Sequence, residues 1–272
     1  MAGFVPAPFS IWDLRSLLET LDSIGIEEAV LAPEEEKRDP NTGACLLASN
    51  RTRSVVVADQ VGLPLLEEVF GIGSVKGLLS RLELFDRTKA CKFEISKDED
   101  GVVEAIKVSQ GRKKTEYRCL NPEVLLVPSA VMDEQEDSWE LCFTQADISE
   151  FQKASRSIMM AASDKEKAQF KITVDKLGEA EITIADGDYD SFRVTMKASA
   201  NTDKGLPETS WDISTMIRCL KAVSAEAAEN GLGEGSEEAL CSVKMTVAAS
   251  GIAFMTLGEV EFMLIPDIAG NG

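Results

Sequence analysis

Residues Asp147–Ala162 read D-I-S-E-F-Q-K-A-S-R-S-I-M-M-A-A, and sixty-five positions later Asp212–Ala227 read D-I-S-T-M-I-R-C-L-K-A-V-S-A-E-A. Both stretches open Asp-Ile-Ser. In each, a basic residue follows the Ile by five positions (Lys153, Arg218) and again by eight (Arg156, Lys221). At about 100° per residue, Ile148, Phe151, Ser155, Ile158 and Ala162 make one helical stripe. Ile213, Met216, Ile217, Leu220 and Ser224 make its counterpart. Lys153 and Arg218 fall on the side away from the stripe, and Arg156 and Lys221 lie well off it. The pattern predicts a repeated helix, buried on one side and cationic on the other.

Elsewhere the chain is acidic. It has 28 basic against 47 acidic residues, a formal net charge of −19 over 272 residues. Charge of that size favours solubility and repels nucleic acid and anionic membrane over most of a surface. Contact with DNA therefore requires a segregated basic patch or an enclosed surface. The cations of the repeat are the candidates for such a patch.

Composition excludes much chemistry. There is no histidine, so imidazole acid–base catalysis, Ser/Cys-His nucleophiles and His-ligated zinc are ruled out. No carboxylate cluster suggests a metal centre, and neither an enzymatic activity nor a cofactor is expected. Asp186–Asp190 (D-G-D-Y-D) starts like a calcium loop, but Ser191 and Lys197 occupy the positions that need Gly and Glu. A hairpin turn is the expectation there. Gly71-Ile72-Gly73 fits neither the dinucleotide nor the Walker spacing and is expected to be a simple turn into a helix capped by Ser74.

Six cysteines (Cys45, Cys91, Cys119, Cys142, Cys219, Cys241) are scattered with no C-x-x-C pair. They are expected to be reduced core thiols, suited to a reducing cytoplasm. No apolar run reaches membrane-spanning length. The N-terminal M-A-G-F-V-P-A-P-F-S lacks a basic region followed by an apolar one. The protein is expected to work in the compartment where it is made.

Taken in order, Phe9–Ile24 places Leu14, Leu17, Leu18 and Leu21 on one stripe behind a candidate N-cap, Ser10. Strand-like runs follow at Ile26–Ala32, Gly43–Ser49 and Ser54–Asp59, with a charged, proline-bracketed loop at Pro33–Thr42. Val61–Ile72 fits a strand plus a turn. Ser74–Leu84 is amphipathic, with Lys76 and Arg81 on its flanks. Runs at Ala90–Ser96, Val102–Ser109 and Lys113–Leu120 are joined by turns at Asp98–Gly101 and Gln110-Gly111. The second half repeats the order after a lead-in strand, Trp139–Phe143. It has the Asp147 helix, strands near Ala168–Val174, Ala180–Ala185 and Phe192–Lys197, a helix from Trp211, and strands at Leu240–Ala248, Ile252–Leu257 and Val260–Ile265. The fold class is α+β, a duplicated unit: residues 1–120, a linker at 121–138, and residues 139–272. Acids gather in Glu34–Glu36, Asp133–Asp137 and Glu226–Glu238.

Several stretches carry a family resemblance. Phe70–Asp86 (F-G-I-G-S-V-K-G-L-L-S-R-L-E-L-F-D), Glu94–Val108 (E-I-S-K-D-E-D-G-V-V-E-A-I-K-V), Thr144–Arg156 (T-Q-A-D-I-S-E-F-Q-K-A-S-R) and Leu264–Ile268 (L-I-P-D-I) resemble segments of DNA sliding clamps. The clamps of T4-type bacteriophages, two-domain chains that assemble as trimeric rings, are the most similar. The resemblance implies a DNA polymerase processivity factor: a homotrimeric ring whose helices line a hole and whose sheets form the shell. It also implies duplex DNA, a DNA polymerase, a clamp-loading ATPase and transcription factors as partners, with the host cytoplasm as location if the source is viral. On this reading Lys76, Arg81, Lys153, Arg156, Arg218, Lys221 and Arg15 face DNA, binding phosphates without reading bases. The first helix departs from the pattern, because Glu19 and Asp22 share its polar face with Arg15, its only cation.

Clamps also dock short apolar peptides. Val124, Leu125 and Leu126, and Leu264, Ile265 and Pro266, are candidates for that groove, although ordinary core or strand positions would have the same composition. Arg112-Lys113-Lys114 reads as a guarded strand edge or the border of a subunit interface. Two alternatives stay open: a clamp-fold processivity factor that binds DNA without closing a ring, and a structural or assembly protein of a virion.

Overall fold

A computed structural model describes residues 4–7, 9–33, 44–61, 63, 69–125, 137–162, 168–186, 190–229 and 241–267. The chain divides into two compact units, Met1–Val131 and Met132–Gly272. Among the described residues, each contains two α-helices and strands of two antiparallel sheets.

In the first unit, α1 (Ile11–Ile24) begins where Ser10 Oγ accepts from the Trp12 and Asp13 amides and ends at Gly25, whose φ of 90° reverses the chain. Its leucine stripe (Leu14, Leu17, Leu18, Leu21) is buried. The other helix, α2 (Val75–Leu82), is capped by Ser74 and buries Val75, Leu78, Leu79 and Leu82. One sheet contains β2 (Glu28–Pro33), β3 (Ala44–Ser49), β4 (Val55–Val61) and β5 (Phe70–Ile72), in the order β4-β3-β2-β5. The other contains β1 (Val5–Pro6), β6 (Lys92–Lys97), β7 (Val103–Gln110) and β8 (Lys113–Arg118), in the order β1-β6-β7-β8. Phe9, Phe70 and Phe93 pack ring against ring, with centroids 5.8 and 5.2 Å apart.

Gly71 lies within β5 and does not turn the chain. A Cβ there would come within 2.5 Å of the Leu120 carbonyl oxygen, and Leu120 N donates to the Gly71 carbonyl. This glycine permits close backbone approach; the expected turn into the Ser74-capped helix is confined to a bend at Gly73. A single 3-10 turn, Pro122–Val124, follows, capped by Asn121. It falls at the head of the expected linker; positions 126–136 of that segment, including Leu126, lie outside the described residues.

In the second unit, β9 (Ser138–Phe143) leads into α3 (Gln145–Ala161). The helix starts two residues before Asp147. Thr144 is the N-cap, and Asp147 is the acid of a capping box whose carboxylate accepts from Thr144 N. Next come β10 (Gln169–Val174), β11 (Glu179–Ala185), β12 (Ser191–Lys197), β13 (Ser199–Ala200) and β14 (Leu206–Asp212). Trp211 therefore belongs to a strand and not to the fourth helix, another correction. The fourth helix, α4, spans Ile213–Glu229, with the Asp212 carboxylate accepting from Thr215 N at 2.7 Å. Strands β15 (Val243–Ala248), β16 (Ala253–Leu257) and β17 (Val260–Leu264) complete the unit. Its sheets run β12-β11-β10-β14 and β13-β9-β15-β16-β17. A second aromatic cluster, Phe143, Phe151 and Phe170, mirrors the first, with edge-on rings 5.7 and 5.6 Å apart.

Cys142 and Cys241 form a disulfide across 99 residues, with Cα atoms 5.3 Å apart. This overturns the expectation of reduced core thiols for that pair. The two residues are distant in sequence, but the pairing of β9 with β15 brings Cys142 opposite Lys244, close to Cys241. Among the described residues Cys45, Cys91, Cys119 and Cys219 lie outside any disulfide. Burial pushes the Cys119 and Cys219 thiols up to about 12, so neither forms a thiolate near neutral pH. No helix, among the described residues, is long and apolar enough to cross a membrane.

Candidate nucleic-acid interface

The repeated helices, α3 and α4, pack against each other and run antiparallel. Gln145 Nε2, at the start of α3, donates to the carbonyl of Ser224, late in α4. Ile148, Phe151, Ser155 and Ile158 are buried on α3, and Ile213, Met216, Leu220 and Ser224 on α4. The apolar stripes fall nearly where the periodicity placed them. Ile217 and the C-cap Ala162 are only half-buried, while Cys219, Val223 and Ala227 are additional core residues of α4. Asp-Ile-Ser, however, sits at different depths in the two helices. Asp147 is the third residue of α3, whereas Asp212 precedes α4 as its cap.

Lys153, Arg156, Arg218 and Lys221 are all exposed. A groove of about 310 Å³ runs between the helices, lined by Gln152, Ser155, Arg156 and Met159 from α3 and by Ile213, Ser214, Ile217 and Lys221 from α4. It thus joins Arg156 and Lys221, one from each helix, in a lining that Gln152, Ser155 and Ser214 share with Met159, Ile213 and Ile217. Among the described residues Lys153, Arg156 and Lys221 form no ion pair. Flexible cations beside neutral donors can bind phosphate oxygens without base contact.

The first unit is different. Arg15 is only half-exposed, and its Nε donates to Glu19 at 2.8 Å. Arg87, beyond α2, reaches the same carboxylate at 2.8 Å. Burial alone would raise the Glu19 carboxyl, but hydrogen bonds and charge from Arg15 and Arg87 outweigh it and hold the group below its ordinary 4.5. Arg15 is therefore held in an ion pair within its own helix. On α2, Lys76 and Arg81 are exposed, but Arg81 donates to the Gly77 carbonyl at 2.6 Å and lies 5.4 Å from the Tyr117 ring centroid. Tyr117 OH in turn accepts from Ser74 N, the cap of the same helix. Arg87 was not legible as a partner because it follows α2 in a turn with no periodic signal.

The peptide-docking candidates separate by burial. Leu264 is completely buried and its carbonyl accepts from Trp211 Nε1; Leu125 is 7% exposed. Both are core residues, unavailable to a peptide without rearrangement. Val124 is 65% exposed, and Ile265 and Pro266 are half-buried. The acidic loops lie largely outside the described residues. Of their described members, Asp137 pairs with Lys204 at 2.6 Å, and Glu226 belongs to α4, where it accepts from Gly258 N. Asp186 and Asp190 bond to each other's backbone across the β11–β12 turn; 187–189 lie outside the described residues. No group of three or more His, Cys, Asp or Glu that could hold a metal occurs among the described residues.

No family model and no curated protein matches the chain. Solved structures do. The Helicobacter pylori beta clamp bound to a DNA ligase peptide superposes with a TM-score of 0.62 at 12% identity, over 97% of this chain and 66% of that one. The same clamp in complex with 3,4-difluorobenzamide gives 0.60 at 12% identity, over 100% and 66%. The A. fulgidus PCNA bound to the C-terminal region of FEN-1 gives 0.53 at 16% identity, over 95% and 97%. The chain spans about two thirds of the H. pylori clamp chain's length. At these identities the likeness concerns architecture. The chain has the sliding-clamp fold, duplicated α+β units with antiparallel sheets.

Proposed function

We propose that this chain is a DNA polymerase processivity factor: a homotrimeric sliding clamp that encircles duplex DNA and tethers the replicative polymerase. The observation that carries this reading is the basic groove between α3 and α4. Arg156 and Lys221 line that groove, and the same helices expose Lys153 and Arg218, in a chain of net charge −19. The clamp fold supplies the context, and two units per chain accord with the two-domain clamps that close as trimers. The residue patches at 70–86, 94–108 and 144–156 favour the T4-type bacteriophage clamps as nearest kin.

The work of such a factor is topological. Its cations attract phosphates without reading bases, and binding weakens as salt rises because bound counterions are released. Encirclement converts each polymerase rebinding into an intramolecular event at high effective concentration. No catalytic step is required of the clamp. A clamp-loading ATPase would open the ring, and transcription factors could share its face. Both similar clamps were captured with segments of DNA enzymes, a ligase peptide and the FEN-1 C-terminus. On this chain Val124, Ile265 and Pro266 are the exposed or half-buried remnants of the docking candidates. Strands β8 and β12 lie at the edges of their sheets among the described strands. They offer unpaired backbone for head-to-tail joining of copies.

Light scattering of the purified protein tests the assembly. Three copies per particle are expected. A strict monomer would replace the ring with an open factor, and large polymers would indicate a virion component.

A further inference from the structure

We propose that the β3–β4 turn, Asn50–Ser54, is a second phosphate-contacting element for duplex DNA, with Arg51 and Arg53 supplying the charge that α1 does not offer. The inference rests on the processivity-factor reading and assigns it new residues. Both arginines are exposed. Arg53 has φ 56°, alone among the described non-glycine residues in the left-handed region. Glycine or asparagine would occupy that conformation at lower cost. A long cationic side chain held there against its backbone preference points to a use for the side chain.

The turn is also braced. Asn50 Oδ1 accepts from Val55 N, Asn50 Nδ2 donates to Ser54 Oγ at 2.8 Å, and Arg53 N donates to the Asn50 carbonyl at 3.0 Å. Its position follows from Glu27, whose carboxylate accepts from Arg51 N at 2.9 Å and whose carbonyl accepts from Val75 N at 2.9 Å. Val75 opens α2, and the next residue is the exposed Lys76. The turn therefore lies at the end of the unit where α1 finishes and α2 begins. Arg51, Arg53 and Lys76 are thus exposed on two segments that Glu27 ties together. The Arg51 guanidinium is 3.8 Å from Glu27 and 78% exposed, so that contact leaves most of its charge open to solvent. Arg53 has no ion pair among the described residues.

The test compares three proteins for binding to a fluorescent 30-base-pair duplex across a salt series: wild type, Arg51→Ala/Arg53→Gly, and Lys153→Ala/Arg156→Ala/Arg218→Ala/Lys221→Ala. Gly at position 53 keeps the left-handed backbone, so the double variant should melt no lower than wild type. Its affinity should fall several-fold, with a log–log salt slope shallower by about 2. Wild-type affinity and slope in the double variant, with binding lost in the quadruple, would overturn the turn's role and leave the clamp reading standing. Wild-type binding by both variants would overturn the clamp reading itself. Unchanged DNA binding with lost retention of a polymerase or loader would assign the turn to a protein partner and overturn the proposal.

Discussion

The two helix pairs of this protein use positive charge in opposite ways. In α3 and α4 the four cations are exposed, and two of them, Arg156 and Lys221, meet across an open groove. In the first unit Arg15 and Arg87 share one carboxylate, and Arg81 is folded onto a carbonyl and an aromatic face. The helical positions look alike in sequence. What differs is whether a partner lies within reach, either one helical turn away, as Glu19 is from Arg15 and the Gly77 carbonyl from Arg81, or remote in the chain, as Tyr117 is from Arg81. A cation on the polar side of a helix is a candidate for binding only if its own fold has not already neutralised it.

That contrast can be broken most forcefully by charge reversal. Replacing Lys153, Arg156, Arg218 and Lys221 by Glu should abolish clamp-dependent DNA synthesis while circular dichroism and melting remain close to wild type. The matching reversal Arg15→Glu should act mainly on stability. If the quadruple protein still supports synthesis, the second unit holds no such privilege.

The second-largest effect concerns the disulfide, which belongs to the second unit alone among the described residues. Closing a span of 99 residues restricts the unfolded chain, and its loss should cost about 2–4 kcal/mol. Cys142→Ser or added dithiothreitol should lower the melting temperature of a fragment or domain transition assigned to that unit. An unchanged transition would show that the bond contributes nothing to its stability.

A smaller effect is expected in the first unit at Gly71. An added methyl would meet the Leu120 carbonyl at 2.5 Å and Leu125 Cδ1 at 2.8 Å, so Gly71→Ala should destabilise by about 1–3 kcal/mol. Urea denaturation would register this as a lower midpoint at constant slope. An unshifted midpoint would show that the strand and Leu120 separate without cost.

The smallest effect tests the Glu19 pairing. Glu19 is 40% exposed, so solvent screens the pair and Glu19→Gln should cost at most about 1 kcal/mol at neutral pH. Its carboxyl is held below the ordinary value, so the contribution is complete above about 4.5 and disappears as pH falls through the folded value. Wild type and Glu19→Gln should therefore converge in acid. A gap that widens on acidification would reverse the sign of the assignment.

Much of this architecture was legible in the sequence because local chemistry and packing agreed. Ser10 and Ser74 cap the helices they precede, and the alternation of β10 and β11 matches their buried faces. The errors have local causes too. Asp147 seemed to start a helix because Thr144-x-x-Asp147 substitutes Asp for the usual Glu of the capping box. Strand β14, L-P-E-T-S-W-D, has little alternation and is held by its pairing with β10. The disulfide and the Arg87–Glu19 pair join residues that no spacing rule connects, whereas Arg15–Glu19 is an ordinary i,i+4 pair. At the candidate interface, the exposure of Lys153, Arg156, Arg218 and Lys221 could be read from sequence; the reach of Arg87 to the Glu19 carboxylate that Arg15 also binds could not.

The topological claim is tested most directly by loading the protein onto singly nicked circular DNA and then cutting the circle. The account predicts that the protein stays through a wash on intact circles and is released promptly once a restriction enzyme makes ends. Equal retention on circular and linear DNA, or loss from both in the same wash, would contradict encirclement.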